Sequence, residues 1–204
     1  MLVPILYQSK LYGIVFWKSI VIAVLLTITG TVGTYLMFLL ENHVIGGRSF
    51  YGAVFFVPLA FLVVAKCLNI KYGLLMDLCA PAECLMLALM KVLCIISGCC
   101  AGRVLCENIA GEAVRFPSQI VELIGALVVA VILLYIFSQK KYIARLYPWY
   151  LFLYGVSRFV LNFMREEWQL WKWGNILPFG TLWSLVALMM GGFLLLYLKK
   201  NEHM

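Results

Sequence analysis

Acidic side chains number only nine in 204 residues, and all charged residues together make up 12% of the chain, while 65% of it is hydrophobic. A soluble domain of this size has too little interior to hide so much apolar surface, so the scarcity of charge excludes one. Histidine is scarcer still, with His43 and His203 far apart and far from the cysteines. Paired CxxC spacings, internal repeats, low-complexity tracts and polar linkers are all missing, which leaves a single membrane domain over residues 1–204. The net charge of +7 does not point to nucleic acid, because the basic residues are scattered among short loops rather than gathered on one face.

Long apolar runs are what the chain has in quantity. A bilayer core about 30 Å thick takes roughly 20 apolar residues per helix. Stretches near 19–40, 50–66, 78–97, 119–137, 147–163 and 176–198 meet that length, so an all-α integral membrane protein with about six spans is expected. The first span follows Lys10 and Lys18 without a small-residue cleavage site and reads as a retained helix. With six spans, one side collects Lys10, Lys18, Lys66, Lys71, Lys140, Lys141, Arg145, Lys199 and Lys200, nine cations against five on the other: Arg48, Arg103, Arg115, Arg165 and Lys172. Cytoplasmic loops carry the excess of Lys and Arg, so both termini are placed in the cytoplasm.

Two cations, Lys91 and Arg158, fall inside spans, where charge is costly and usually functional. Glu122, one turn into its helix, shares their depth in the outer half. Either the cations snorkel outward with Glu122 as a structural partner, or the three groups form a site. In "YGVSRFVLNFMRE", Arg158, Asn162 and Arg165 recur at i, i+4 and i+7 and so share one helical face. Guanidinium forks grip phosphate oxygens in pairs, and Lys91, Arg103 and Arg115 are available to join them, so an anionic phospholipid headgroup is the expected ligand.

Seven cysteines stand at 67, 79, 84, 94, 99, 100 and 106. Cys67, Cys79 and Cys84 read as packing residues. For the outer four, no metal is expected, because CxxC pairs and a neighbouring histidine are lacking. A disulfide from Cys106 to Cys99 or Cys100, small residues lining a glycine turn, and a reactive thiol at Cys99 beside Lys91 and Arg103 all stay open.

Five segments occur in a telling order: "GGRSFYGAVFF", "DLCAP" (77–81), "RFPSQIVE" (115–122), "YGVSRFVLNFMRE" and "GTLWSL". They resemble, in sequence, the Ser-Phe-His-Gly-Gly, Asp-x-x-Ala-Pro, Arg-His-Pro-Ser-Gln-x-x-Glu, Tyr-Gly-x-x-Arg-Phe-x-x-Glu-Phe-x-Arg and Gly-Gln-x-x-Ser segments of the phosphatidylglycerol–prolipoprotein diacylglyceryl transferase family. The family's signature stretch, laid on Met90 to Arg103, keeps Gly98, Gly102 and Arg103. Lys91 replaces its arginine, Cys94 and Ser97 its two asparagines, and Cys99 its acidic residue. Tyr51 stands for a histidine and Asn162 for a glutamate.

The resemblance implies a bacterial inner-membrane transferase, without cofactor, that binds phosphatidylglycerol and moves its diacylglyceryl group to a thiol, in the family that of a prolipoprotein cysteine. It implies that Lys91, Arg103, Arg115, Arg158 and Arg165 serve the phosphate, with Ser97, Gly98, Gln119 and Asn162 lining the substrate. Glu122 would act as base or hold an arginine, Tyr51 would donate a hydrogen bond to a headgroup oxygen, and Cys99 would be a nucleophile or a filler. A related transferase acting through Cys99 on another acceptor, or a non-catalytic lipid-binding scaffold, are the alternatives.

Overall fold

The computed structural model describes residues 2–100, 102–107, 112–139, 145–164, 172–173 and 177–200. Among them are seven helices: α1 (Leu2–Leu11), α2 (Phe16–Asn42), α3 (Tyr51–Leu68), α4 (Tyr72–Ser97), α5 (Ser118–Ser138), α6 (Leu146–Asn162) and α7 (Phe179–Lys200). Two short antiparallel ladders join them, β1 (Val104–Glu107) with β2 (Ala113–Arg115), and β3 (Lys172–Trp173) with β4 (Leu177–Pro178). The six expected spans correspond to α2 through α7. By length and hydropathy five of these, all but α6, suffice to cross a membrane. Helix α6 has 17 residues, about 26 Å of rise, and it carries Arg158.

Helix α1 is not foreshadowed by the apolar pattern. Its ten residues are too short for a span, and it docks by burying Ile5, Gln8 and Ser9 at i, i+3 and i+4. In the absence of a hydrophobic force between helices in lipid, close backbone approach does the packing. At the crossing of α2 and α3, a Cβ on Gly52 would overlap the Gly33 carbonyl, so only glycine permits this contact.

Two prolines explain how α6 is positioned. Pro58 lies inside α3 and cannot donate to the carbonyl of Val54, four residues earlier. The Tyr147 hydroxyl donates to that carbonyl at 2.8 Å. In α4, Asp77 precedes Pro81, and its Oδ1 accepts the backbone N–H groups of Leu146 at 3.0 Å and Tyr147 at 3.2 Å. The N-cap residue Arg145 makes no side-chain cap, so a carboxylate from a neighbouring helix does so instead. This accounts for the "DLCAP" segment: Asp77 sets the start of α6, and the register of α6 sets Arg158.

Candidate functional site

From its capped start, α6 turns Tyr147, Tyr150, Tyr154, Arg158 and Asn162 toward the bundle interior, and all five are buried. The tyrosines stack in a column, with centroids 5.5 Å apart for Tyr147 and Tyr150 and 5.8 Å for Tyr150 and Tyr154. At the top of the column the Arg158 guanidinium lies 5.8 Å from the ring of Tyr51 and 5.9 Å from that of Tyr154. Both aromatic faces favour the cation.

Lys91 from α4, Glu122 from α5 and Arg158 from α6 meet there. Glu122 Oε2 accepts Lys91 Nζ at 2.7 Å and also Arg158 Nη1. All three residues are at most 6% exposed, so neither cation reaches water by snorkelling. Two cations facing one carboxylate leave a surplus positive charge in a dry place. Burying such a charge is costly unless an anion completes it.

A cavity of about 690 Å³ lies above this triad. The end of α2, the start of α3, the ends of α4 and α6 and the start of α7 enclose it, with Lys91, Arg158, Asn162 and Thr181 among its lining residues. Three buried polar atoms of that lining, Arg158 Nε, Asn162 Nδ2 and Thr181 Oγ1, have no hydrogen-bond partner among the described residues. Buried donors left in this way call for an acceptor that the described side chains do not supply. Arg48 adds a second guanidinium at the wall, held 4.8 Å from the Tyr35 ring by a 2.5 Å hydrogen bond to its hydroxyl.

The expected site residues do not all meet at the cavity. Arg103 and Arg115 are exposed on the β1–β2 hairpin and are not among the described lining residues of the cavity. The hairpin is instead a clasp: Arg103 N–H donates to the Met164 carbonyl at 2.9 Å, just beyond α6. The described helix ends at Asn162, so the expected i+7 continuation is not observed, and Arg165 lies outside the described residues. Tyr51 lines the cavity, and its hydroxyl donates to the Gly180 carbonyl at 2.7 Å, tying α3 to α7. Glu122 sits behind the two cations rather than on the cavity wall. Gln119 and Gly98 shape the neighbouring turn: Gln119 Nε2 donates to the Cys99 carbonyl at 2.8 Å, and Gly98 ends α4 with φ +66°.

That turn brings thiols together. Cys94, Cys99 and Cys100 all line the cavity, and their sulfur atoms lie within 4.8 Å of one another. The Ser97 hydroxyl donates to Cys99 Sγ at 3.2 Å and draws the pKa of that exposed thiol below its ordinary value. Cys106 is exposed on β1 and, like the other cysteines, is a free thiol, so the alternative of a disulfide to Cys99 or Cys100 is not observed.

A polytopic helical membrane protein with a buried carboxylate–cation triad under a cavity of about 690 Å³ is the class that these features define. The chain belongs to the prolipoprotein diacylglyceryl transferase family, whose model matches residues 8–197. It is 30% identical over 154 residues to the phosphatidylglycerol–prolipoprotein diacylglyceryl transferase of Geobacter sulfurreducens, covering 72% of this chain and 59% of that protein. The enzyme of the same name from Polynucleobacter asymbioticus is 33% identical over 128 residues, or 59% of this chain and 49% of the relative. That of Ehrlichia ruminantium is 28% identical over 174 residues, 78% and 66% respectively. The chain thus spans between about half and two thirds of the length of these relatives.

Proposed function

We propose that this protein transfers the diacylglyceryl group of phosphatidylglycerol to a thiol, that of a prolipoprotein cysteine, at the outer end of its helices in a bacterial inner membrane. The observation that carries the reading is the pairing of Lys91 and Arg158 on a single Glu122 oxygen beneath the cavity. A phosphodiester monoanion supplies the negative charge that this arrangement lacks, and its oxygens are acceptors for Arg158 Nε, Asn162 Nδ2 and Thr181 Oγ1.

In the reaction, the acceptor's thiolate sulfur forms a bond to the glycerol carbon of the diacylglyceryl group. The carbon–oxygen bond to phosphate breaks, and its electron pair stays on the phosphate of the departing glycerol phosphate. The thiol's proton goes to water, since a phosphate monoester with a second pKa of about 6 stays largely dianionic at neutral pH. Charge therefore grows on phosphate as the bond breaks, and preorganised cations in a dry site stabilise that change. Glu122 fixes both cations and acts as a positioning residue.

The test is mass spectrometry of the purified protein, in detergent containing phosphatidylglycerol, incubated with a peptide bearing a lipobox cysteine. A peptide heavier by one diacylglyceryl group, with glycerol phosphate released, is expected. Peptide mass unchanged under conditions where the lipid is bound would overturn the reading.

A further inference from the structure

Cys94, Cys99 and Cys100 stand where a helix ends and the chain doubles back. Gly98 takes φ +66° and Cys100 itself φ +62°, a left-handed conformation uncommon for a residue with a side chain. The reversal brings Cys100 Sγ to 3.9 Å from Cys94 Sγ, with Cys99 Sγ close by. The start of α5 holds the turn in place: Ser118 Oγ donates to the Cys100 carbonyl at 2.8 Å, and Gln119 to that of Cys99. A tetrahedral zinc–thiolate centre with bonds of about 2.3 Å has sulfur atoms about 3.8 Å apart. One edge of that tetrahedron is already present, and Cys99, exposed at the rim, closes the second and third with a small shift.

Charge favours a cation here as well. The carbonyl end of α4 carries the negative end of its helix dipole, which disfavours three bare thiolates but favours a metal ion among them. Lys91, one turn before Cys94 on α4 and lining the same cavity, places a cation on the thiolate side of the turn. Sulfur ligands select soft, thiophilic ions, zinc foremost.

We propose that Cys94, Cys99 and Cys100 hold one zinc ion whose fourth position opens to the cavity and takes the thiol of the acceptor. Three protein ligands plus an exchangeable fourth is the arrangement of catalytic rather than structural zinc. A thiol that coordinates zinc loses its proton outright to water and remains a sulfur nucleophile. This second part rests on the transferase reading. It answers a need of that chemistry, since Glu122, engaged by two cations, is a poor base for the acceptor.

The experiment titrates the full chain, purified in detergent, with zinc and with cadmium. One ion per chain is expected, with cadmium giving the charge-transfer absorption of three thiolates. Cys94→Ser, Cys99→Ser and Cys100→Ser should each weaken binding at least about tenfold, since even outer-shell changes at metal sites cost this much. Cys106→Ser should leave it unchanged. Because Cys99 is exposed, its variant keeps the test meaningful if the other two disturb folding. Adding a lipobox-cysteine peptide to the cadmium form should add a fourth thiolate, and the serine peptide should not. Equal metal binding by the Cys99 variant and the parent overturns the site, as does a Cys94–Cys100 disulfide in the protein as isolated. A bound ion that gains no sulfur from the cysteine peptide overturns the open position. Metal and thiol binding without diacylglyceryl transfer would leave the site standing and remove the proposed function.

Discussion

Asp77 of α4 caps Tyr147 of α6, its Oδ1 accepting the Tyr147 N–H at 3.2 Å and that of Leu146 at 3.0 Å. Replacing Asp77 by Ala leaves two buried N–H groups without acceptors. A loss of about 2–4 kcal/mol is expected, from the cap and the unmet donors together. Asp77→Asn keeps a carbonyl oxygen and should lose less. Thermal unfolding in detergent distinguishes them, and equal midpoints for the two variants would contradict the cap.

Glu122→Ala should cost more than its size suggests. It strands Lys91 and Arg158 in a buried place, and breaking a buried ion pair from one side costs about 3–5 kcal/mol. Adding Lys91→Met to Glu122→Gln removes one stranded cation and should recover part of the unfolding midpoint. A double variant less stable than Glu122→Gln alone would show that the carboxylate does not serve this pairing.

Arginines in the cavity and on the hairpin should behave differently. Arg158→Lys keeps the charge but loses the guanidinium fork and its Nε donor, and diacylglyceryl transfer should fall about 100-fold or more. Arg103→Ala and Arg115→Ala, on the exposed hairpin, should reduce it by less than about tenfold. Transfer assays on the three variants, with phosphatidylglycerol retention read by native mass spectrometry, check the order.

Orientation can be tested with single exposed probes in a chain whose own exposed thiols, Cys67, Cys99 and Cys106, are replaced by serine. A cysteine at Glu112, on the hairpin side, should react with an impermeant reagent in intact cells, and one at Lys71 only after lysis. The opposite pattern would invert both the topology and the leaflet from which lipid is drawn.

Which parts of this were legible in the sequence follows from the range of the forces involved. Five of the helices declare themselves by local apolar length, and Lys91, Glu122 and Arg158 betray a shared depth by their distance from helix ends. Helix α1 escaped because ten residues with one buried stripe have neither a span's length nor a long period. The hairpin carrying Arg103 and Arg115 is four and three residues of strand, below what alternation reveals. Arg48 and Glu41 reach the cavity wall only when the end of α2 meets the start of α3. Their one signal was the position of Arg48 within "GGRSFYGAVFF". The convergence of Cys94 with Cys100 depends on the left-handed φ of Cys100, which spacing does not disclose.

Tyr147 is bound twice, through its amide to α4 and through its phenol to α3. Helix α6 is therefore held at its foot by two neighbouring helices. Arg158 lies about 17 Å along the helix from that point, so a small tilt there is magnified at the guanidinium. A swing of about 4° carries the guanidinium about 1 Å, enough to turn a good hydrogen bond into a poor one. The bolt at Tyr147 thus makes the proposed grip on phosphate a lever, most sensitive at its far tip and indifferent at its base.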